Sequence, residues 1–405
     1  MVWQSRLWFL GGALFLLTLP LFPYDFGLLA DQTLELEASR GVYKPVLTPW
    51  VSWNNGRGLS FYGSSAFSLP RYFYNDYPYG IQKTGDGGWT KPVLVMELSR
   101  TAGYWRAAGS LLAAGRMPYE DALGFAASGL FDGLCFDADL ARGGLRLGLW
   151  YTGLLYKDSA KILMTPGDTE DYAKPWHWDN FSAYFASRRI LSALRWDAAL
   201  GESYRLSVEA LAQFDLSGHD TLLHSQYGEI LVEIFPEKPA GLTAGLACEL
   251  MEDQDGKAGG AFGALARLQT EVPGGYKDGA ALTVKYGSGP WNDAFAFTPL
   301  SSPAQGEVFP GSLSGLLVIA ADYGIQPRPA ILAECVFRYF LRDHGVSGEE
   351  GKYLYGGELW ASLAWQPLED LRLSLGGGAF FPGLGNIYGD SKPQGKLTIG
   401  LSLSF

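Results

Sequence analysis

The chain has 405 residues, of which 47% are hydrophobic, 14% aromatic and only 18% charged, and it contains 53 glycines. The apolar fraction excludes an intrinsically disordered chain. The formal net charge of −11 argues against a nucleic-acid partner, because phosphate binding needs a basic face. Many glycines and aromatic rings with few charges are typical of strands that face lipid.

The N-terminal stretch has the pattern of an export signal. Arg6 precedes an apolar run that continues to Phe22, and Ala30 is a small residue at which cleavage would fit. A retained helical anchor is the alternative, although the run is marginal for that role because spanning needs about 20 apolar residues. We therefore predict a signal peptide over residues 1–30 and one exported domain over residues 31–405.

Downstream of this segment the chain repeatedly alternates apolar and polar residues with a period of two. The clearest segment is 204–215, in which Val208 and Phe214 fall on one face and Glu209 and Gln213 on the other. Such alternation predicts strands with one apolar and one polar face. A soluble core would not hold mid-strand charges unpaired, whereas a water-filled lumen can. The alternative, a soluble β-sandwich with one wet face, leaves the export signal and the strand length unexplained.

The predicted connections alternate between short and long. The short ones are 54–57, 101–103, 141–143, 201–202, 236–240, 326–328 and 366–369. The long ones are 70–90, 157–187, 217–225, 287–312, 343–352 and 382–393. Outer-membrane barrels have tight periplasmic turns and larger outer loops. The sequence therefore predicts an all-β fold, a transmembrane antiparallel up-and-down β-barrel of about 18 strands, with 16 as the alternative.

The last ten residues form one amphipathic strand. Leu397, Ile399 and Phe405 fall on its apolar face, and Lys396 and Thr398 on its polar face. This segment resembles the closing strand of bacterial outer-membrane proteins. The resemblance implies a location in the cell outer membrane of a Gram-negative-type bacterium and a terminal Phe405 that the barrel-assembly machinery reads.

One motif stands above this background. Gly115-Arg116-Met117-Pro118-Tyr119 leads to Phe131-Asp132-Gly133, which resembles the paired-strand motif of alginate-export type porins. The resemblance implies the architecture of a large porin. Arg116 and Asp132 would lie on adjacent strands near one rim and could pair there. Such a pair either braces the barrel or filters solutes, since inward charges and pore width set selectivity.

Other charges in the alternation also fall on the polar face and are candidates for the lumen or its constriction. With the pair above, the set is Arg116, Asp132, Arg146, Arg205, Glu209, Glu229, Glu233, Glu249, Arg267, Lys285, Glu334, Arg338, Glu358 and Arg372. Both signs are present, so no ion preference follows. A barrel of this size has an aqueous lumen that loops must narrow if it is to select. The connection 157–187 either folds inward as a constriction or lies outside as a lid.

Chemistry has little support in the sequence. His219-Asp220 and His224-Ser225 are the tempting pairs for a hydrolase, and the expected nucleophile, metal and phosphate motifs are absent. Cys135, Cys248 and Cys335 are too far apart for a metal or disulfide framework. We expect no enzyme activity, no cofactor and no metal.

The predicted function is an outer-membrane pore for passive or facilitated diffusion of small polar solutes. Its expected partners are outer-membrane lipid, the barrel-assembly machinery, those solutes and further copies of the chain in a homo-oligomer. One alternative is a plugged, surface-exposed barrel that acts as a binding or structural protein. The other is an outer-membrane hydrolase, whose activity would depend on the histidine pairs.

Overall fold

The computed structural model describes residues 24–37, 40–74, 92–174, 176, 179–218, 221–236, 238–273, 276–290, 295–301, 303–343, 351–388 and 391–405. Its strands are β1 (Tyr24–Glu37), β2 (Arg40–Asn54), β3 (Leu59–Ser68), β4 (Arg71–Tyr74), β5 (Val95–Ala107), β6 (Ser110–Glu120), β7 (Ser128–Leu140), β8 (Gly143–Tyr151), β9 (Arg189–Ala199), β10 (Tyr204–Asp215), β11 (Leu223–Ile234), β12 (Ala240–Asp253), β13 (Ala258–Val272), β14 (Lys277–Gly287), β15 (Leu316–Arg328), β16 (Ile331–Arg342), β17 (Leu354–Leu368), β18 (Leu371–Phe381) and β19 (Gln394–Ser404).

These strands form one closed antiparallel sheet. Each pairs with its neighbours along the chain, and β19 pairs with β1 to complete the ring. The short β3 and β4 both pair with β2 and together make one wall strand, so the 19 segments form 18 wall strands. The predicted 18-strand barrel is confirmed.

The closing contact extends to the last residue of the chain. Leu29 lies opposite Ser404 and Glu37 opposite Lys396. The backbone N–H of Phe405 donates to the Leu28 carbonyl at 2.9 Å, and the Leu28 N–H donates back at 3.0 Å. The ladder between the first and last strands therefore continues to Phe405, and the first residues of β1, Tyr24–Gly27, extend beyond it along β2.

The wall exposes its apolar side chains and buries its polar ones. On β10, Val208 is 37% and Phe214 45% exposed, whereas the intervening Glu209 is only 2% exposed and Gln213 is fully buried. A protein in water shows the reverse pattern. The outward apolar face needs lipid, and the inward polar face needs water or polar partners, as the alternation predicts.

The connections at the end of the barrel that holds Tyr24 and Phe405 are all short. The other end holds the long connections, together with the short ones between β1 and β2 and between β12 and β13. Two predicted turns are wrong: 101–103 lies inside β5 and 326–328 inside β15. The turn after β5 is Ala108-Gly109, where φ values of 47° and 78° fit the hairpin type that needs two left-handed residues. Two boundaries are also wrong, because β17 continues through 366–368 and β11 already begins at Leu223, within the predicted loop 217–225.

The helical content is confined to loops. Lys157–Ala160 and Pro166–Ala173 are short helices, and Phe181–Tyr184 and Pro382–Leu384 are 3-10 turns. Within the described ranges, every helix is too short and too polar to cross a membrane.

The predicted signal peptide lies mostly outside the described residues. β1 begins at Tyr24, and Ala30 is paired with both Leu403 and Leu47 inside the sheet. Cleavage after Ala30 would therefore remove the first part of β1. The leader itself stays a prediction.

The assignment of an apolar outer face and a polar inner face can be tested by placing one arginine on each face. Leu246, 65% exposed on the outer face of β12, should tolerate Arg poorly, because a charge in the hydrocarbon costs about 2–4 kcal/mol. Gln269 lines the lumen, and Gln269→Arg should cost little. Equilibrium urea unfolding of both variants in liposomes measures the difference. Equal tolerance of the two changes would contradict the assigned faces.

Candidate functional site

A hairpin leaves the barrel wall and enters the lumen. β6 pairs with β5 only from Ser110 to Arg116, and β7 pairs with β8 only from Asp132 onward. Beyond these points, residues 117–120 and 128–131 pair with each other alone. We call residues 117–131 the constriction hairpin.

Two glycines sit where this hairpin departs. Gly115 and Gly133 lie directly opposite each other on β6 and β7. Gly115 has a φ of +126°, and a Cβ there would lie 2.2 Å from the Thr101 carbonyl oxygen. A Cβ at Gly133 would lie 2.0 Å from the Leu149 carbonyl oxygen. Neighbouring backbone therefore fills the space of any side chain, and only glycine fits.

The predicted pair of Arg116 and Asp132 forms beside these glycines. The Arg116 guanidinium donates two hydrogen bonds to the Asp132 carboxylate, from Nε to Oδ1 at 2.8 Å and from Nη2 to Oδ2 at 2.6 Å. Arg116 is only 4% exposed, and it also donates to the Leu98 carbonyl at 2.5 Å and the Leu154 carbonyl at 3.0 Å. Four of its five N–H donors are thus engaged, and the group is buried away from passing solutes.

The tip of the constriction hairpin is held by another part of the wall, formed by β10 and β11. The Tyr119 hydroxyl donates to Glu209 at 2.6 Å, and the Ala122 N–H donates to the same carboxylate at 2.7 Å. The Leu123 N–H donates to Glu229 at 3.2 Å. Carboxylates on β10 and β11 therefore hold backbone donors of a segment that has left its own sheet.

A second segment, residues 295–301 and 303–309, joins the hairpin inside the lumen. The Thr298 N–H donates to Glu249 on β12 at 2.7 Å, and the Thr298 carbonyl accepts from the Tyr227 hydroxyl at 2.6 Å. The Leu300 N–H donates to the Ala126 carbonyl at 2.7 Å, which ties this segment to the hairpin.

The same segment ends on Glu358. This carboxylate, on β17, accepts the backbone N–H groups of Glu307, Val308 and Phe309 at 2.8–2.9 Å. It also accepts Arg338 Nη1 at 2.8 Å. Hydrogen bonds to a charged group contribute about 1.5–3 kcal/mol each, so this carboxylate fixes the segment firmly.

The connection predicted over 157–187 is also directed inward in part. Ile162 bridges to Ser301, and Ile162 and Met164 pack in one buried cluster with Phe125 and Phe297. Asp168, at the start of the helix Pro166–Ala173, forms a fully buried ion pair with Arg189. Of the two readings of this connection, the inward one fits these contacts.

The remaining part of that connection packs against β5. Tyr156, Trp176 and Tyr184 form a buried aromatic cluster with Val95. The Tyr184 hydroxyl donates to the Met96 carbonyl at 2.6 Å, and burial raises the pKa of this phenol to about 12. The tyrosine is therefore a neutral donor at physiological pH.

The structure divides the predicted lumen charges into groups. Glu209, Glu229, Glu249 and Glu358 face inward but are buried under the loops they hold. Arg116 is likewise buried at the hairpin base, where its partner Asp132 is half-buried. Arg146, Arg267, Lys285, Glu334 and Arg338 line open cavities. Arg205, Glu233 and Arg372 lie on the inward face nearer the short-turn end.

Sequence reasoning missed several charges at the same level. Glu97, Glu120 and Arg195 line one cavity and Asp322 the other. Arg195 lies directly opposite both Arg146 and Glu209. All of these are on polar positions of an alternating strand, so the period of two could have found them.

Two lumen cavities of about 730 Å³ each remain open. The inner cavity, towards the short turns, is lined by the basic residues Lys238, Arg267, Lys277, Lys285 and Arg338 and the acidic residues Glu271, Asp322 and Glu334. The outer cavity lies along the constriction hairpin and is lined by Glu97, Glu120, Arg146 and Arg195, with Tyr119 and Phe131. The two cavities have no lining residue in common.

The candidate catalytic pairs do not assemble within the described part of the chain. His224 and Ser225 are consecutive on β11 and therefore point to opposite faces. His224 Nδ1 accepts the Asp215 N–H at 3.1 Å, while Ser225 is fully buried. His219 lies outside the described residues, and those residues hold no cluster of metal-binding side chains.

A closed 18-strand barrel, apolar outside and narrowed by inward loops, defines the channel type of outer-membrane barrel. Three solved Pseudomonas aeruginosa structures share this fold: OpdK with vanillate (12% identity, TM-score 0.60), OccK5 (OpdH) (12%, 0.58) and OccK3 (OpdO) (11%, 0.59). Each comparison covers 94% of this chain, and 98%, 98% and 95% of the respective neighbour. No protein-family model and no curated protein matches the sequence. The resemblance to alginate-export porins therefore stays a prediction.

The role of Glu358 can be tested on the loop that it holds. Glu358→Ala removes the acceptor of three buried backbone donors and should speed amide hydrogen exchange at Glu307–Phe309 by about tenfold or more. The barrel should persist, because its ladders are untouched. Glu334→Ala is the control, since that residue lines open space and makes one long contact at 3.5 Å. Unchanged exchange in Glu358→Ala would contradict the role.

Proposed function

We propose that this protein is an outer-membrane pore through which small polar solutes diffuse. The observation that carries the proposal is the polar inner wall around two open cavities of about 730 Å³, one along the constriction hairpin and one towards the short turns. A barrel embedded in lipid with a hydrated interior lets polar solutes cross the membrane without entering the hydrocarbon core of the bilayer. The fold shared with channel structures supports this function, and the solute itself is part of the proposal.

We further propose that the pore favours anions. The inner cavity carries five basic and three acidic side chains, although the whole chain has a net charge of −11. Charges on a low-dielectric wall raise the local concentration of the opposite ion. The OpdK structure contains vanillate, a small aromatic carboxylate, and an inner cavity with net positive charge suits solutes of that class.

One observation favours a second candidate, the plugged barrel. The two cavities share no lining residue, and between the loops lies a packed apolar cluster that includes Phe125, Phe297 and Leu300. If this cluster blocks the lumen completely, the outer loops would serve binding and no current would flow. Both candidates are free of chemistry in our proposal, and the histidine pair within the described residues, His224-Ser225, does not place a base beside a nucleophile.

Export and assembly complete the proposal. We propose that the leader ends before Tyr24, because strand pairing already begins there. The terminal Phe405, 72% exposed next to the β1–β19 seam, would be the residue read by the assembly machinery. Homo-oligomers would form through the outer wall.

Planar-bilayer recordings test both candidates at once. The pore predicts discrete conductance steps and a reversal potential in a salt gradient that shows anion preference. Arg267→Gln with Lys285→Gln should lower the anion-to-cation permeability ratio about two-fold or more, because both groups face the inner cavity. A folded protein that conducts no current would reject the pore and favour the plugged barrel.

The control changes a lysine outside the lumen. Lys257 lies in the turn between β12 and β13, with its side chain 73% exposed, beside Asp255. Lys257→Gln should leave the permeability ratio unchanged. If the control shifts selectivity as much as the cavity variant does, overall charge rather than the inner cavity sets ion preference.

A further inference from the structure

The inward hairpin leaves an unpaired edge in the barrel wall. Residues 95–98 of β5 pair with β3 on one side, but in the described structure β6 no longer accompanies them on the other. Unpaired strand edges present carbonyl oxygens that need donors. Here the donors are side chains: the Met96 carbonyl accepts from the Tyr184 hydroxyl, and the Leu98 carbonyl from Arg116.

The same arginine reaches the far side of the gap. Its Nη2 donates to the Leu154 carbonyl, just beyond the end of β8, while Nε and Nη2 hold Asp132 at the base of β7. One guanidinium therefore joins three parts: the free edge of β5, the base of the constriction hairpin and the segment after β8. Only the planar five-donor group of arginine can make these contacts together, and lysine cannot.

Because these contacts lie at the base of the constriction hairpin, a small change in angle there moves the tip by a larger distance. Glu120, the last strand residue before the tip, is about four residues from Arg116, which at strand rise is a distance of roughly 13 Å. A tilt of about 10° at the base would move the tip by roughly 2 Å. Beside Arg116, Gly115 has a backbone conformation that side-chain-bearing residues rarely adopt, so the glycines permit the bend without fixing its angle.

We propose that Arg116 is a positioning residue that sets the angle of the constriction hairpin and thereby the width of the pore. It does so from the wall, without touching solute, by clamping the hairpin base between β5 and the segment after β8. Tyr184 supports the same edge one step further along β5. The link to pore width rests on the proposed pore function, whereas the clamp itself does not.

The clamp is tested by distance measurements that need no current. Two spin labels are attached, one at Glu120→Cys on the hairpin and one at Arg57→Cys in the exposed β2–β3 turn, after Cys135, Cys248 and Cys335 are changed to Ala. Double electron–electron resonance then measures the distance between the labels, which reports the hairpin position. Arg116→Ala should roughly double the width of the distance distribution, because the base loses all three attachments. Lys396→Ala is the matched control, since it breaks a 3.2 Å pair with Glu35 at the β1–β19 closure, away from the hairpin.

Bilayer recordings then test the pore width without the labels. Arg116→Ala should change single-channel conductance by about 1.5-fold or more and increase current noise. Lys257→Ala, which changes a charge in the exposed turn outside the lumen, should do neither. A folded Arg116→Ala protein with unchanged distances and conductance would show that the pair only braces the barrel. If Arg116→Ala changes the distance distribution but the wild-type protein conducts no current, the clamp is supported and the pore is rejected.

A folding failure is also informative. If Arg116→Ala does not fold, Arg116→Lys decides, because it keeps the charge but cannot reach Asp132 and both carbonyls together. Broadened distances in Arg116→Lys support the clamp, and distances equal to wild type overturn it. If neither variant folds, Arg116 is a bracing residue needed for barrel assembly, and the positioning role is rejected.

Discussion

The interior of this barrel depends on buried carboxylates that accept backbone N–H groups. Loops that fold into a lumen bring in backbone N–H groups that have no partner strand. Burying such a group without a hydrogen bond costs folding free energy. Glu209, Glu229, Glu249 and Glu358 supply acceptors from the wall, each at a different point. A carboxylate can accept several donors at once, so one side chain on a rigid strand holds a whole loop turn.

The wall faces lipid on its outside and a polar interior on its inside, and this explains why the fold can be predicted from the sequence. A period of two separates the lipid face from the inner face at every strand, and closure to 18 wall strands follows from the alternation of tight turns and long loops. Errors arose where a local signal competed with the period. Thr101-Ala102-Gly103 contains a glycine and small residues, yet it continues β5 because Gly103 pairs with Ala114 across the sheet.

The site was less readable, because the period gives the face of a residue and not its partner. Glu209 and Lys285 both fall on inward positions, but one is buried under a loop and the other lines a cavity. That difference depends on where distant segments fold, and contacts such as Ala122 with Glu209 join residues 87 positions apart. The adjacency of Arg116 and Asp132 was predicted from a motif, whereas their carbonyl partners on Leu98 and Leu154 carry no signal in side-chain sequence.

The outer and inner halves of the lumen therefore obey different rules. In the outer half, apolar wall residues such as Leu191 and Leu211 face inward and pack with the loops as in a soluble core. In the inner half, charged residues line open space. A substitution in the outer half acts on loop position, because packing there transmits small shifts. A substitution in the inner half acts on solutes directly, through charge and space. Arg116 belongs to the first kind, although it is a charged residue in a barrel wall.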